Sequence, residues 1–452
     1  MLYKKRLEPV LETELFRNPT KEYRGAPFWA WNSKLDKAVL ERQIEVFREM
    51  GFGGYHMHPR YGLATEYLSE AYMDAVNACI QKGKEVDMLS FLYDEDRWPS
   101  GFAGGLVTQN PKYRQRSLYI TKDRGQLPVL GSDQDKAIAA GLPYLVGYYD
   151  VEFDEDGFLK GFKLLEEGET ADYERYFVYC AANELSDKYN FQTYTDLLQP
   201  EAVQEFIKLT HDKYYERFGD DYDTWIPAIF TDEPRQRPLE QMEESCEECL
   251  AVYFWTGNFE KSFQECYGYD LLEMLPYLVW DTRDGEYRYV RYDYFMHAAA
   301  LFEHAYFKQV SETVRKQKLA FTGHLMLEGE LYGQLRWTID AMRLYPWFDI
   351  PGVDMLYDHV ELMTAKQAQS IVHQYHKEAM LSELYGVTGW DFDFKCLKMQ
   401  GDWQAALGVT LRVPHLSHLS MAGKAKRDYP HPSNIRHLGI RSFIILKIIL
   451  PD

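Results

Sequence analysis

A chain of 452 residues is too long for one ordinary domain, and suits either a barrel of about 250 residues with insertions or two to three separate domains. Its 46% apolar and 27% charged residues are the composition of a globular protein, which excludes wholesale disorder and a membrane-embedded chain. Seventy acidic against fifty basic residues leave a net charge of -20, which argues against nucleic acid and against an anionic membrane surface as partners.

Residues 1–18 carry charges throughout and lack the apolar core of a signal peptide, so a cytoplasmic protein is expected. The 35 Tyr, 25 Phe and 10 Trp serve mostly as core packing, and such numbers of amphipathic rings also suit a surface that stacks on sugars. Six cysteines are scattered as reduced thiols are. Cys246 and Cys249 form a CxxC within an acidic stretch, with no second pair to complete a zinc site.

Along the chain, eight short apolar runs alternate with stretches of helical periodicity, the pattern of a parallel sheet with helical crossovers. They are residues 26–32, 53–58, 87–93, 226–232, 320–325, 353–357, 379–384 and 409–414. The intervals hold helices: 36–50 carries Val39, Ile44, Val46, Phe47 and Met50 on one stripe, and 69–83 ends on a glycine. The third interval is long. Within it, residues 113–185 read as alternating strands (117–121, 144–153, 158–165 and 176–181) with DEDG at a hairpin turn, followed by a helix over 199–218. The fourth interval, 235–318, reads as mostly helical. The expected fold is therefore α/β, a (β/α)8 TIM-type barrel with a β-rich subdomain inserted between strands three and four. Its barrel portions span 1–112 and 186–430, its insertion 113–185. Residues 431–452 form an atypical basic and then apolar tail, too short to span a bilayer and expected to carry no function.

In such a barrel the site forms where the strands end, so the residues that close each run matter most. The first run closes on Trp29, Trp31 and Asn32, the second on His56, His58 and Arg60, the third on Asp94, Glu95, Asp96, Arg97 and Trp98. The later runs give Asp232 and Glu233, His324 and Glu328, Asp358 and His359, Glu383 and Tyr385, then Arg412 and His415. Cleavage of a glycosidic bond needs one carboxylic acid to protonate the leaving oxygen and one carboxylate to attack or to activate water. Glu233, in FTDEP after an apolar strand, and Glu383, in LSELY at the end of the seventh run, meet that need across the barrel mouth. Glu233 is read as the acid and Glu383 as nucleophile or base. Asp94 or Glu95 would serve as an alternative carboxylate or as a hard-cation ligand, and Glu328 and Glu330 are further candidates. Trp29, Trp31, Asn32, His56, His58, Asp94, Glu95, Arg97, Trp98, Asp232, His324, Glu328, Tyr385 and Trp390 are expected to bind sugar.

Two other readings compete. His56 and His58 have the HxH spacing that puts two imidazoles on one side of a strand, as metal-dependent amidohydrolases do, with His324 and His359 to complete a ligand set. Against it, no Lys follows the fourth run and the eighth ends on Arg412 rather than Asp. A non-catalytic carbohydrate-binding barrel is the third reading, since a fold alone never fixes function.

Residues 26–32 (APFWAWN), 53–58 (GGYHMH), 93–105 (YDEDRWPSGFAGG), 230–234 (FTDEP), 323–328 (GHLMLE) and 382–391 (SELYGVTGWD) resemble bacterial glycoside hydrolases similar to the α-L-rhamnosidases. The resemblance covers most of residues 20–430. It implies a barrel glycosidase acting on a carbohydrate, inverting, with glutamates as acid and base and calcium as the one cofactor it allows. It also implies β-sandwich domains beyond the barrel, so a truncated chain is expected.

Overall fold

The computed structural model describes residues 2, 12–122, 131, 133–236, 249–357, 359–388, 392–422 and 425. In chain order its strands are β1 (Phe28–Trp31), β2 (Gly54–Pro59), β3 (Leu89–Tyr93), β4 (Arg116–Thr121), β5 (Tyr144–Phe153), β6 (Leu159–Leu165), β7 (Glu174–Ala182), β8 (Ala228–Asp232), β9 (Cys249–Trp255), β10 (Ala320–His324), β11 (Ile350–Met355), β12 (Leu381–Leu384), β13 (Leu411–Pro414) and β14 (Ser417–His418). Each of the eight apolar runs thus yields a strand.

Nine of these strands form one parallel sheet in the order β13-β12-β11-β10-β8-β3-β2-β1-β14. Its two ends belong to one stretch of chain: residues 411–414 pair with β12, and residues 417–418 pair with β1 through Trp29 opposite Ser417. The sheet therefore comes round on itself. A pleated strand alternates its faces, and one file of side chains runs up the inside of each. Phe28 and Ala30, Leu89, Phe91 and Tyr93, Ala228 and Phe230, Leu381, and Leu411 and Val413 form one closed apolar cluster there.

The opposite faces pack on helices. Lys37–Glu49 is capped by the Asp36 carboxylate on the Val39 N–H and buries Leu40, Ile44 and Phe47, with Phe47 edge-on to Trp29. Glu70–Val86, capped by Ser69, continues past the expected stop at Gly83 and ends at Asp87, which has φ 59°. Gly83 is needed for closeness instead: a Cβ there would lie 2.8 Å from Tyr55 Oη and 3.0 Å from Ser90 Oγ. The expected helix over 199–218 is present as Pro200–Ile207, a π-helical segment Lys208–Asp212 and Lys213–Phe218.

A second, antiparallel sheet has the order β6-β5-β7-β4-β9. Four of its strands come from the expected insertion. The fifth, Cys249–Trp255, is a strand within 235–318, whose other described elements are helical as expected: the run CLAVYFW pairs along β4 with Trp255 opposite Arg116. Among the described residues no helix is long and apolar enough to cross a membrane, and Cys79, Cys180, Cys266 and Cys396 are free thiols. Cys246, Asp358, Trp390 and the tail 431–452 lie outside the described residues.

Candidate functional site

Where the inward files end at the top of the sheet, apolar side chains give way to acids and imidazoles. The file of β8 runs Ala228, Phe230, Asp232; that of β12 runs Leu381, Glu383; that of β11 runs Ile350, Gly352, Asp354; that of β13 runs Leu411, Val413, then His415. Register sets these side by side, Asp232 opposite His324 and Asp354 opposite Glu383. They open into a cleft of about 540 Å³ whose lining includes Arg60, Trp98, Asp232, Glu233, Glu328, Asp354, Glu383 and His415. Both carboxylates proposed for bond cleavage therefore face one space.

Their surroundings differ. Glu383, 4% exposed, lies between two imidazoles, with His324 Nε2 2.9 Å from one oxygen and His415 Nδ1 2.6 Å from the other. Burial alone would raise its pKa, but the hydrogen bonds from these two rings overcome it and hold the carboxyl below its ordinary range. Reciprocally, burial works against a charged His324, yet Glu383 together with Asp354 and Asp232 holds it well above an ordinary histidine. Glu233 sits just beyond β8 with φ 46°. Burial pushes its carboxyl up to about 8, the Asp232 charge adding to the rise and His324, Arg235 and the Trp98 hydrogen bond opposing it. The indole N–H of Trp98 donates to Glu233 Oε2. That indole is itself held in place, because the buried Arg235 guanidinium lies 4.6 Å from its ring centroid and 4.6 Å from that of Trp337. Asp232 accepts from Tyr93 Oη at 2.6 Å and, like Asp354, is shifted upward chiefly by burial. Glu328 accepts from Tyr345 Oη at 2.9 Å and burial raises it to about 7. The cleft thus pairs a carboxyl held ionised, Glu383, with one that burial favours in its protonated form, Glu233.

Trp98, Asp232, Glu233, Glu328 and Glu383 are brought together as expected, and Glu330 and His359 also line the cleft. His324 lies in its floor against Glu383. His58 stacks on Tyr93 at 3.8 Å and touches Arg60 through Nε2, while His56 is deeper, bonded to Ala26 O and stacked on Phe91. Burial lowers both imidazoles, His56 to about 3. Among the described residues no three-residue group able to hold a metal includes His56 or His58, and both rings are buried in the barrel core.

Several expected sugar contacts are corrected. Trp29 and Trp31 alternate with the inward Phe28 and Ala30 and therefore face the helices, Trp29 donating to Gln43 Oε1 at 2.7 Å and Trp31 edge-on to Tyr72. Asn32 pins the segment after β14, donating to the carbonyls of Ser420 and Ala425 and accepting from the Ser420 N–H. Tyr385, at φ 79°, packs with Phe392 and Leu397 beneath the helix Phe394–Ala406. Arg97 is paired with Asp96 Oδ2 at 2.7 Å and lies over Tyr61.

The acids of the third loop serve the backbone. Glu95 accepts from the N–H groups of Asp96, Gly101, Phe102, Ala103 and Gly104 at 2.5–3.0 Å. Asp94 accepts from Ser100 Oγ at 2.5 Å, and Ser100 in turn bonds the Asp232 backbone at both its N–H and its carbonyl. Neither acid is among the residues that line the cleft. Truncating Glu95 to Ala leaves five donors, four of them buried, without their acceptor, at about 1–3 kcal/mol for each group left dry. Even with partial hydration, a loss of ~4 kcal/mol or more is expected, measured as the drop in the urea unfolding midpoint.

Asp354 was passed over in the sequence although its signal was there: an acid on the inward parity of an apolar strand. Its Oδ1 is buried and has no hydrogen-bond partner. Arg60 and His415 close the second and eighth runs and do reach the cleft.

No family model matches the sequence, and no curated protein matches it. Among solved structures, a rhamnosidase from Novosphingobium sp. PP1Y is similar at 16% identity and TM-score 0.61, over 92% of this chain and 57% of that one. A β-galactosidase from the psychrophilic Marinomonas ef1 follows at 9% identity and TM-score 0.45, over 88% and 55%. The PgaB (BpsB) glycoside hydrolase domain from Bordetella bronchiseptica stands at 9% and 0.42, over 95% and 99%. This chain thus spans 57% of the rhamnosidase's length. Over most of its own length it has the fold of a rhamnosidase, in accord with the resemblance carried by its motifs.

Proposed function

We propose that the chain is the catalytic (β/α)8 part of a rhamnosidase-like glycoside hydrolase, with residues 1–112 and 186–430 as barrel and 113–185 as the core of an inserted subdomain. The observation that carries this reading is the pair of oppositely tuned carboxyl groups in one cleft, Glu233 held protonated by burial and Glu383 held ionised by two imidazoles. Environments that push two acids apart in pKa assign the acid and base of such a reaction. As the bond from the anomeric carbon to the leaving oxygen breaks, its electron pair goes to that oxygen, which takes the Glu233 proton. Glu383 either attacks the anomeric carbon or draws a proton from the water that does. Asp232, Asp354, Glu328 and Arg60 line the cleft and bond the sugar hydroxyls, and the Trp98 N–H steadies Glu233.

Calcium has no step in this proposal. The two groups of possible ligands, Asp232–His324–Glu383 and Glu233–His324–Asp354, each offer two carboxylates and share an imidazole that already bonds Glu383. A calcium ion takes six to eight oxygens, so these groups do not fit it by themselves.

A panel of p-nitrophenyl glycosides that includes the α-L-rhamnoside tests the reading. One sugar is expected to be turned over. A panel in which sugars bind calorimetrically and none is cleaved would make the chain a sugar-binding barrel instead.

A further inference from the structure

The cleft is two-sided. Its inner side carries the acids and imidazoles of β8, β10, β11 and β12. Its outer side comes from the loops after β10 and β11, neighbouring strands, and there the apolar lining is Met326 and Leu327 from one loop and Leu356 and Tyr357 from the other, with Glu328, Glu330, His359 and Glu361 of the same loops beside them. Leu327 is 46% exposed and Tyr357 52% exposed. These are large apolar side chains in water at the mouth of a concave site, the signature of a surface that receives a ligand.

The two loops form one surface. A Cβ on Gly329 would come within 2.3 Å of Glu361 Oε1, and Gln334 and Gln367, one following each loop, both donate to Glu328 O at 2.8 Å. Val360, and Leu331 and Met363 at the start of the helices that follow, are also exposed. The polar groups on this side partly engage each other, since Glu361 accepts from Thr364 Oγ1 and lies 3.5 Å from His359 Nε2.

We propose that this outer wall is the seat of the leaving group, and that the leaving group is an alcohol with a large apolar part, alkyl or aryl. The inference rests on the glycosidase reading and adds the chemical class of the aglycone. The sugar meets the carboxyl groups inside, while the apolar part of the substrate covers Leu327 and Tyr357.

The test uses methyl, butyl and octyl glycosides of the sugar cleaved in the panel, α-L-rhamnosides first. Their leaving alcohols are of similar acidity, so the bond-breaking chemistry is nearly constant and chain length reports burial alone. kcat/KM is expected to rise about tenfold or more from methyl to octyl, as apolar burial requires. In the double variant Tyr357→Ala, Leu327→Ala the octyl-to-methyl ratio is expected to fall to within about twofold of one, as the buried apolar area is lost. A methyl glycoside that is cleaved with a flat series in the wild type overturns the inference and leaves the glycosidase reading standing. A flat series together with a concentration-dependent mass would assign the wall to a second copy of the chain. If no glycoside is cleaved or bound, both readings fall together.

Discussion

Glu233→Gln is expected to lower kcat/KM on an alkyl glycoside by roughly 10²–10⁴-fold, the usual contribution of a positioned general acid. On a 2,4-dinitrophenyl glycoside of the same sugar, whose leaving group departs without a proton, most of the rate should remain. The pH profile carries the same information. The active form requires a protonated Glu233, whose carboxyl burial raises to about 8, so wild-type activity declines as pH rises through about 8. It also requires an ionised Glu383, which the two imidazoles hold below the ordinary carboxylate range, so the acidic limb lies at or below that range. Glutamine has no proton to lose, and the variant's residual rate on the activated substrate should show no alkaline decline. Equal losses on both substrates would show that Glu233 is not the acid.

Glu383→Ala should be at least as damaging, roughly 10²–10⁴-fold or more in kcat, and here an activated leaving group should bring no relief. The substitution removes the anion and leaves His324 and His415 facing a void where a carboxylate joined them. Azide, a small anion able to enter that void, is expected to restore part of the rate on the dinitrophenyl substrate and to appear in the product as a glycosyl azide. A variant of near wild-type kcat would remove Glu383 from the chemistry. The first-formed anomer of the wild-type product, read by NMR, then tells whether Glu383 attacks carbon or activates water, since retention requires the first and inversion the second.

Much of this arrangement could be read from residues alone. A parallel α/β sheet follows from apolar runs spaced by helical stretches, and Glu233 and Glu383 stand out because each closes such a run. What could not be read was mainly parity and competition. Trp29 and Trp31 close a run too, but the pleat sends them to the side away from Phe28, and only the packing of the helix Lys37–Glu49 decides which side is the outer one. Tyr385 fails for a similar reason, its left-handed backbone turning the ring under a helix. Glu95 looked like a ligand-binding acid because sequence cannot display the five N–H groups that a tight glycine-rich loop turns toward one carboxylate. Asp354 was missed for the same reason, since only the register of β11 against β12 sets it opposite Glu383. Cys249–Trp255 was hidden by the acidic stretch before it, although its own composition is that of a strand.

The residues that bring the sheet round on itself, 411–414 and 417–418, hold His415 between them. That imidazole is one of the two that keep Glu383 ionised, so sealing the ring and charging the reaction centre are a single event. A ribosome making this protein from its amino end would have exposed the other acids and the first imidazole well before the centre could work. On the proposed function, a lesion that frees residues 411–418 should silence turnover before the remaining structure melts.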